Sequence, residues 1–497
     1  MLVEIESILK SAVVRTLIRG KEEVMKVLLA DPPQRERDYD AAYPNMGILY
    51  LISAARKRLS DSGISLEYLE SQYNLAGHLD AIARIQPDLY GISYASFTSP
   101  LAHRTIAAVR ERFPKLPIIA GGAHPTAAWE QVLRETEVDV CVIGEGEAGF
   151  CDVVAHYAGQ GQPLEEILGV AFRRDRAPFR TGKRPPIKDL DTIPVPAWDL
   201  IDFSKYKGMH LKRAEPQTYI AVSRGCPFDC GFCSNPIWKE SKPWVRLRGA
   251  EPIAREVEQL YQRGIREIYL SADEFNVNLD WPVKVAQELQ KLGHSDLFFQ
   301  CNVRADKVNE ELAREFRKMN LWMVHIGVES GNQRTIDGLK KHIELDQVVN
   351  ACRIFQTEGI KVFGFLMMYH AWEENGALAF ESPADVDKTF EFARRLLREK
   401  LINYMSWQVA TPYPGSRLWE TAQKHGLLLD LHRFGDVREK AMNLPGVTDR
   451  DIRRSLRKGY VIKTYYALKS GNIGWKHVTR ARQSLAVMLG QDWLKGS

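Results

Sequence analysis

The sequence predicts an α/β protein in which a doubly wound parallel sheet precedes a partial or full parallel (β/α) barrel and a helical C-terminal region. Short apolar runs alternate with helical patterns from Val24 to about Gly159, and six further apolar runs do so between residues 218 and 410. Such alternation is typical of parallel strands that are covered by helices. From Gly426 to Ser497 the pattern is helical and basic, which we interpret as a solvated helix face, with contact to a substrate or partner as the alternative.

Length and charge narrow the functional classes. The 497 residues suggest two to four domains, and a net charge of +5 gives too weak a field to indicate a nucleic-acid partner. The chain has no apolar stretch long enough for a membrane span, and Glu4 and Glu6 are unlike a secretory or transit peptide. We therefore expect a cytoplasmic protein with no membrane span and no nucleic-acid partner.

The pattern divides the chain into five parts. Residues 1–23 predict an amphipathic helix, and residues 24–165 predict the doubly wound, Rossmann-like domain. Residues 166–212 predict a hairpin and a proline-rich linker, which lead into a six-stranded barrel over 213–425. The helical region occupies 426–497.

Four of the five strands in the first domain end in small or glycine-rich loops: DPP (31–33), SYASFT (93–98), GGAHPT (121–126) and GEGE (144–147). Ligands of doubly wound sheets bind outside the carboxyl ends of the strands, so these loops predict a large ligand. No G-x-G-x-x-G fingerprint follows the first strand, which argues against NAD or FAD.

Three of the seven cysteines, Cys226, Cys230 and Cys233, fall within eight residues after the first barrel strand. No further Cys or His follows within a dozen residues, so a four-ligand zinc site is disfavoured. Three thiolates on a four-iron cluster leave one iron open to another ligand. The other four cysteines lie in apolar patterns and are expected to be core residues: Cys141, Cys151, Cys301 and Cys352.

The Cys-x-x-x-Cys-x-x-Cys spacing, with Phe232 before the last cysteine, resembles the radical S-adenosylmethionine (SAM) superfamily. The resemblance implies that Cys226, Cys230 and Cys233 hold a 4Fe–4S cluster whose open iron binds SAM. It also implies reductive cleavage of SAM to a 5′-deoxyadenosyl radical, with an external low-potential electron donor of the flavodoxin or ferredoxin type.

The resemblance assigns further SAM contacts residue by residue. Asp273 and Glu274, after the second barrel strand, match the position that receives the SAM amino group. Arg304, after the third strand, matches a basic residue that contacts the SAM carboxylate or a neighbouring acid, and Glu329 and Ser330 match ribose contacts. A purely structural role remains the alternative for each of these residues.

One segment departs from the family pattern. Many relatives follow the fifth strand with a short turn, whereas residues 364–386 predict a longer loop here. A loop at this place overlooks the active site, so Tyr369 and His370 are candidate catalytic residues, and Trp372 and Glu373 could also contact substrate. An ordinary surface insertion is the alternative.

The first domain, linker and barrel together resemble the cobalamin-binding branch of the superfamily, on the strength of DPP, GGAHPT, GEGEAGF and the stretch Pro44-Asn-Met-Gly47. The cobalamin contacts implied are Ser93, Tyr94, Ser96, Gly121, Gly122, His124, Gly144, Glu145 and Gly146. For the glycines, plain chain reversal is the alternative. No Asp-x-His-x-x-Gly motif is found between His78 and His124, which implies base-off cobalamin without an axial His; His124 would then stabilise its turn or contact the cofactor tail.

The resemblance implies a cobalamin-dependent radical SAM enzyme that methylates an unactivated carbon of a small or medium-sized organic substrate. In that scheme one SAM methylates cobalamin, a second supplies the radical, and the substrate radical takes the methyl group. An oxidative cyclase or ring-rearranging enzyme is the alternative, and a cobalamin or cluster sensor without turnover ranks last.

Overall fold

The computed structural model describes residues 24–34, 42–429 and 439–469. The predicted helix over 1–23 lies outside the described residues, as does much of the predicted C-terminal helical region. The chain divides into two compact units, Met1–Gly225 with Pro236–Ile268, and Cys226–Asn235 with Tyr269–Ser497.

A seven-stranded sheet forms the centre of the first unit, in the order β2-β1-β3-β4-β5-β6-β7. Its strands are β1 (Met25–Ala30), β2 (Ile64–Leu69), β3 (Leu89–Ser93), β4 (Ile118–Gly121), β5 (Val140–Val142), β6 (Val170–Arg174) and β7 (Ala177–Arg180). The first five strands are parallel, as the sequence predicts. The predicted hairpin, β6 with β7, adds antiparallel strands to this sheet because Val140–Val142 leaves a free edge that residues 170–172 can pair with. The hairpin predicted from the sequence is therefore present, and it extends the sheet of the first unit.

Five helices cover this sheet: α1 (Met46–Arg58), α2 (Leu75–Ile85), α3 (Ser99–Arg112), α4 (Ala123–Glu135) and α5 (Gly146–Tyr157). The Asn45 and Asn74 side chains accept backbone hydrogen bonds at the first turns of α1 and α2, which are ordinary N-cap interactions. Leu28, Tyr90 and Ile118 belong to the core between strands and helices. The sheet therefore presents its strand ends, with their small-residue loops, along one edge.

The first unit also contains the beginning of the barrel. Its elements are β8 (Gln217–Ala221), β9 (Ser223–Arg224), β10 (Arg246–Leu247) and α6 (Ala250–Gln262). Arg224 on β9 lies opposite Arg246 on the antiparallel β10. These short strands form the stem from which the cysteine loop leaves.

The remaining strands are β11 (Glu267–Ser271), β12 (Phe298–Val303), β13 (Leu321–Glu329), β14 (Lys361–Met368), β15 (Ala371–Glu374), β16 (Ala377–Phe380) and β17 (Tyr404–Val409). The barrel sheet has six strands in the order β8-β11-β12-β13-β14-β17, which matches the six predicted strands and a partial barrel. The strands β12, β13, β14 and β17 pair in parallel.

The loop predicted over 364–386 was wrong. Strand β14 continues to Met368, and β15 and β16 then form an antiparallel hairpin. Asn375 and Gly376 connect its strands with φ of 53° and 81°, the geometry of a two-residue type I′ turn. The Asn-Gly pair was the sequence signal for this hairpin.

The described part of the second unit contains seven α-helices: α7 (Asp280–Lys291), α8 (Glu310–Lys318), α9 (Gln333–Gly338), α10 (Leu345–Thr357), α11 (Pro383–Arg398), α12 (Arg417–Lys424) and α13 (Asp449–Lys469). Helix α13 packs on the outer side of β17, where a Cβ at Gly459 would lie 2.7 Å from the Trp407 ring. Among the helices that the structure describes, none combines the length and apolar character needed to cross a bilayer.

Candidate active site

The three clustered cysteines lie on a loop that begins directly after β9. Gly225 starts this loop with φ of 83°, and a Cβ there would lie 1.7 Å from the Trp244 carbonyl oxygen, so only glycine fits. The Cys233 N–H donates to the Cys230 carbonyl at 3.0 Å, and the Asn235 N–H donates to the Cys233 sulfur at 3.4 Å. All three thiols are half-buried and free of disulfides.

The donor set of this loop fits an iron–sulfur cluster. Burial raises the pKa of Cys226 to about 12 and also raises the pKa of Cys230, so these thiols need a metal to ionise. Across the described ranges, no three His, Cys, Asp or Glu side chains converge on a single metal ion. Thiolates of a cluster bind different irons and need not converge on one point.

Arg304 lies beside this loop and is almost fully buried. Its guanidinium stacks on the Phe228 ring, 3.8 Å from the centroid, and one nitrogen is 3.9 Å from the Cys230 sulfur. Arg304 also forms an ion pair with Asp306 at 2.7 Å. The resemblance predicts contact with the SAM carboxylate or with a neighbouring acid, and the acid beside Arg304 is Asp306.

Asp273 and Glu274 follow β11, and their negative charges raise the pKa of Cys226, which shows that they lie near the loop. Asp273 is exposed, whereas one carboxylate oxygen of Glu274 is buried without a hydrogen-bond partner in the described residues. Burial raises the Glu274 pKa to about 7. A buried carboxylate oxygen that lacks a hydrogen-bond partner fits a cationic ligand such as the SAM amino group.

Glu329 reaches this region because β13 is irregular at its end. The pairing with β14 shifts register between Gly327 and Glu329, and Glu329 adopts φ of 62°. Its carboxylate then forms a buried ion pair with Lys341 at 2.8 Å. A Cβ at Gly327 would lie 2.2 Å from the Glu329 carboxylate and 2.6 Å from the Lys341 nitrogen, so glycine makes room for this pair.

Ser330 belongs to a buried network around Glu381. The Ser330 hydroxyl donates to the Glu381 carboxylate at 2.9 Å and lies 3.0 Å from the Thr389 hydroxyl. The His370 backbone N–H donates to the other Glu381 oxygen at 3.1 Å. Burial raises the pKa of Glu381 to about 7. Ser330 is therefore held within the protein, although the resemblance assigned it to the SAM ribose.

The two candidate catalytic residues differ in their surroundings. The Tyr369 hydroxyl lies 2.7 Å from the Ser455 hydroxyl of α13, which is a packing contact. His370 is fully buried, neither ring nitrogen has a hydrogen-bond partner in the described residues, and burial lowers its pKa to about 3. Its ring lies 5.9 Å from that of Phe232 in the cysteine loop. Of the two, only His370 has unsatisfied polar atoms near the predicted SAM site.

The other two candidates in this segment have structural contacts. Trp372 packs against Gly338, where a Cβ would lie 2.3 Å from the indole. Glu373 is exposed and forms ion pairs with Lys424 at 2.6 Å and His425 at 3.0 Å.

In the first unit, Tyr94 and His124 form an aromatic cluster with His103 beyond the end of β3, with ring centroids 5.7 Å apart. The His124 Nδ1 is 3.0 Å from the Ser96 hydroxyl, and burial lowers the His124 pKa to about 3. The Tyr94 hydroxyl and the His124 Nε2 are buried without a partner in the described residues. Such orphaned polar atoms fit a ligand that supplies hydrogen bonds.

The glycines predicted to contact cobalamin show different constraints. Gly122 has φ of 98°, and a Cβ there would lie 2.6 Å from the Tyr94 carbonyl oxygen, so the close approach of this loop to Ser93 and Tyr94 needs glycine. A Cβ at Gly146 would lie 2.8 Å from Leu51, whereas Gly121 and Gly144 have open space beside them. Open space at these two positions is compatible with a ligand close to the backbone.

Glu145 belongs to a group of four charged residues that we call the stem quartet, Glu145, Glu147, Arg224 and Arg246. Glu145 pairs with Arg224 at 3.2 Å and with Arg246 at 2.7 Å, and Glu147 pairs with Arg224 at 2.5 Å. Glu147 and Arg246 are buried. The quartet thus ties the GEGE loop to β9 and β10.

Sequence reasoning missed Lys341, Glu381, Glu147, Arg246 and His103. Lys341 and Glu381 find their partners 12 and 51 residues away, respectively, and nothing in their local sequence indicates these contacts. The acidic GEGE run and the Arg224 that precedes Gly225 were visible signals for the stem quartet.

Two protein-family models match the two parts of the chain that contain the predicted SAM and cobalamin residues. Residues 220–377 match the radical SAM superfamily model, and residues 39–154 match the B12-binding domain model. The chain belongs to the cobalamin-binding radical SAM family. Its two family domains assign this radical SAM protein a 4Fe–4S cluster, SAM and cobalamin as cofactors.

The names of the curated relatives describe more than one activity. An uncharacterised methyltransferase of Pyrococcus horikoshii is 29% identical over 88% of this chain and 92% of that protein. An anaerobic magnesium-protoporphyrin IX monomethyl ester cyclase of Rubrivivax gelatinosus is 26% identical over 78% and 68% of the two chains. A hopanoid C-3 methylase of Methylococcus capsulatus is 24% identical over the same shares, 78% and 68%.

The fold is also that of a solved structure. The cobalamin-dependent SAM radical enzyme OxsB with aqua-cobalamin bound has a TM-score of 0.69, with 17% identity, and the match covers 97% of this chain and 77% of that one. The likeness supports a Rossmann-like domain followed by a radical SAM domain in this protein.

Proposed function

We propose that this radical SAM protein is a cobalamin-dependent methyltransferase that acts on an unactivated carbon of a small or medium-sized organic substrate. The observation that carries the proposal is one loop with three free half-buried thiols, beside Arg304 and the Glu274 carboxylate, one oxygen of which has no hydrogen-bond partner in the described residues. The methyltransferase and methylase names of two relatives favour methyl transfer as the outcome.

Cys226, Cys230 and Cys233 would hold the cluster, and Glu274 and Glu329 would bind SAM from the barrel side, with Asp273 at the exposed edge of the site. When bound, these cofactors supply a carbon-centred radical and a methyl group. The chain's own contribution is to bind and orient. Arg304 stabilises negative charge at Cys230, and Lys341 compensates the Glu329 carboxylate.

For the first unit we propose base-off cobalamin without an axial His, bound by the predicted loop residues. The sequence contains no His in residues 31–45, the stretch between β1 and α1. His124 is neutral and already held by Ser96, which suits a contact with the cofactor tail. Ser93, Gly121, Gly122, Gly144 and Gly146 would let the cofactor approach the backbone.

We also propose an external low-potential electron donor of the flavodoxin or ferredoxin type, and a cytoplasmic location. The seven free cysteines suit a reducing compartment.

An oxidative cyclase is the second candidate function, and the cyclase of Rubrivivax gelatinosus among the relatives favours it. The two functions use the same cluster and SAM residues. They differ in whether SAM is also consumed as a methyl donor.

The test is anaerobic reconstitution with iron, sulfide and hydroxocobalamin, followed by reduction and quantification of both SAM products in the presence of candidate substrates. Methyl transfer should form S-adenosylhomocysteine and 5′-deoxyadenosine in comparable amounts. Formation of 5′-deoxyadenosine with product but no S-adenosylhomocysteine would establish the cyclase instead. No cleavage of SAM under any condition would leave only a sensor.

A further inference from the structure

The barrel strands of the second unit present an inner face that the proposed cofactor residues do not use. We define this inner face as Asn302, His325, Phe363, Phe365, Met367, Tyr404, Ser406 and Gln408. The pairing register places Asn302, His325, Phe363 and Tyr404 in one row across four strands. Phe365 with Ser406, and Met367 with Gln408, form the next rows toward the strand ends.

The part of this face on β14 and β17 is accessible, whereas His325 on β13 is fully buried. Along β14 and β17, the inner-face residues are half-buried, while the residues between them are buried. Phe390 and Gly459, on α11 and α13, cover the opposite side by packing against Trp407. The alternation therefore shows an open surface on the inner side, since a filled barrel would bury both faces.

Aromatic rings dominate the first row. His325 stacks on Phe363 and Phe365 with centroids 5.2 and 5.7 Å away, and Tyr269 meets its edge at 5.3 Å. The rings of Phe363 and Phe365 are 5.0 Å apart. Faces and edges of rings at these spacings favour a flat ring as a further partner.

The inner face carries no Asp, Glu, Lys or Arg. Burial lowers the pKa of His325 to about 4, so this ring is neutral. Charged side chains lie beside the face: Lys361 pairs with Met323 one row below it, and Glu329 and Lys341 compensate each other above Gly327. Asp273, Glu274 and Arg304 lie at the strand ends near Asn302, where Arg304 and the two acids have opposite charge. A charged substrate group placed on the face would lose its hydration without gaining a counter-charge.

Two polar atoms of the face lack partners. The Ser406 hydroxyl and the His325 Nδ1 are buried and form no hydrogen bond within the described residues. Buried polar atoms are ordinarily paired, so a hydroxyl or carbonyl of a ligand is a suitable partner for them.

We propose that this inner face binds the substrate, and that the substrate is an uncharged, flat, ring-containing molecule with a single hydroxyl or carbonyl at the bound end. The inference rests on the proposed function, because it takes the occupant of the barrel to be the molecule that is modified. It adds the class of that molecule, which the cofactor residues do not determine.

Two dyes with the same ring system test the class. N-Phenyl-1-naphthylamine is neutral, and 1-anilinonaphthalene-8-sulfonate adds one sulfonate. Equilibrium dialysis against the reconstituted holoenzyme should give one equivalent of the neutral dye, with the sulfonated dye bound at least about tenfold more weakly because its charge is unpaired there.

Substitutions locate the binding. Phe365→Ala should weaken binding of the neutral dye about fivefold, because ring contact is lost. Substitution of the exposed Tyr465 on α13 by alanine (Tyr465→Ala) should leave dye binding unchanged. If Phe365→Ala does not fold, the half-buried Met367→Asp serves as the second variant and should reduce binding of the neutral dye.

Equal binding of both dyes, or neutral-dye binding that Phe365→Ala and Met367→Asp leave intact, would overturn the proposal. Dye binding needs neither reductant nor SAM. Failed SAM cleavage with normal dye selectivity would therefore reject the proposed function alone, and normal cleavage without dye selectivity would reject only the substrate class.

Discussion

Gly327 shows how a single residue shapes the site. The Glu329 and Lys341 side chains meet above it, and a methyl group there would enter the space that both ion-pair atoms occupy. The strand can therefore carry a compensated charge pair at its end only with glycine at this position.

We predict that Gly327→Ala raises the Kd for SAM by about tenfold, because it displaces a carboxylate whose charge-assisted hydrogen bond is worth about 1.5–3 kcal/mol. Isothermal titration of the reconstituted protein measures this change. Gly364→Ala is the matched control, since its Cβ would make only ordinary contacts from 3.5 Å outward. A SAM affinity equal to that of the control would contradict the role of Glu329.

Glu381 provides a second residue-scale prediction. Its folded-state pKa of about 7 lies above the ordinary carboxyl value of about 4.3, so the folded chain holds a proton that the unfolded chain releases. Stability should therefore fall as pH rises from about 5 to about 7. Hydrogen bonds from Ser330, Thr335 and the His370 N–H lower the pKa of Glu381, and the nearby charge of Asp385 raises it.

Glu381→Gln should flatten this pH dependence in urea unfolding measured at several pH values, while the exposed Glu391→Gln keeps the wild-type profile. A Glu381→Gln profile identical to the wild type would show that the carboxyl ionises as it does in water.

At the scale of elements, the stem quartet fixes β9 and β10 against the GEGE loop. Arg224 contacts two carboxylates, and Gly225 follows it in a position that only glycine fits. The strand that leads into the cysteine loop is thus anchored by charge and by shape.

Glu147→Gln should lower the free energy of unfolding by about 1–3 kcal/mol, because it leaves the buried Arg224 contact without its charge. Glu251→Gln, an exposed residue of α6 that is 3.8 Å from Arg255, should change stability by less than about 0.5 kcal/mol. Urea unfolding compares the two variants, and equal effects would mean that the quartet contributes no more than a surface pair.

The elements themselves were largely predictable. Buried parallel strands such as β3 and β13 are nearly continuous apolar runs, and the amphipathic helices between the strands follow a clear period. The hairpin of β15 and β16 was missed because its Asn-Gly turn was taken for part of a loop.

At the scale of the whole molecule, the cofactor classes followed from spacing and order. The cysteine loop could be identified because its ligands are close in sequence. The sequence did not identify Lys341, Glu381 or the inner face, because their neighbours are set by strand register and by contacts between distant segments. The domain boundaries and the role of residues after 469 stay predictions.

The most direct measurement is the amount of 5′-deoxyadenosine formed from SAM by the anaerobically reconstituted, reduced protein. We predict formation by the wild type and by Cys352→Ala, whose thiol is buried on α10, but none by Cys230→Ala. Equal formation by wild type and Cys230→Ala, or none by any of the three proteins, would contradict the assignment of Cys226, Cys230 and Cys233 as the ligands of a SAM-cleaving cluster.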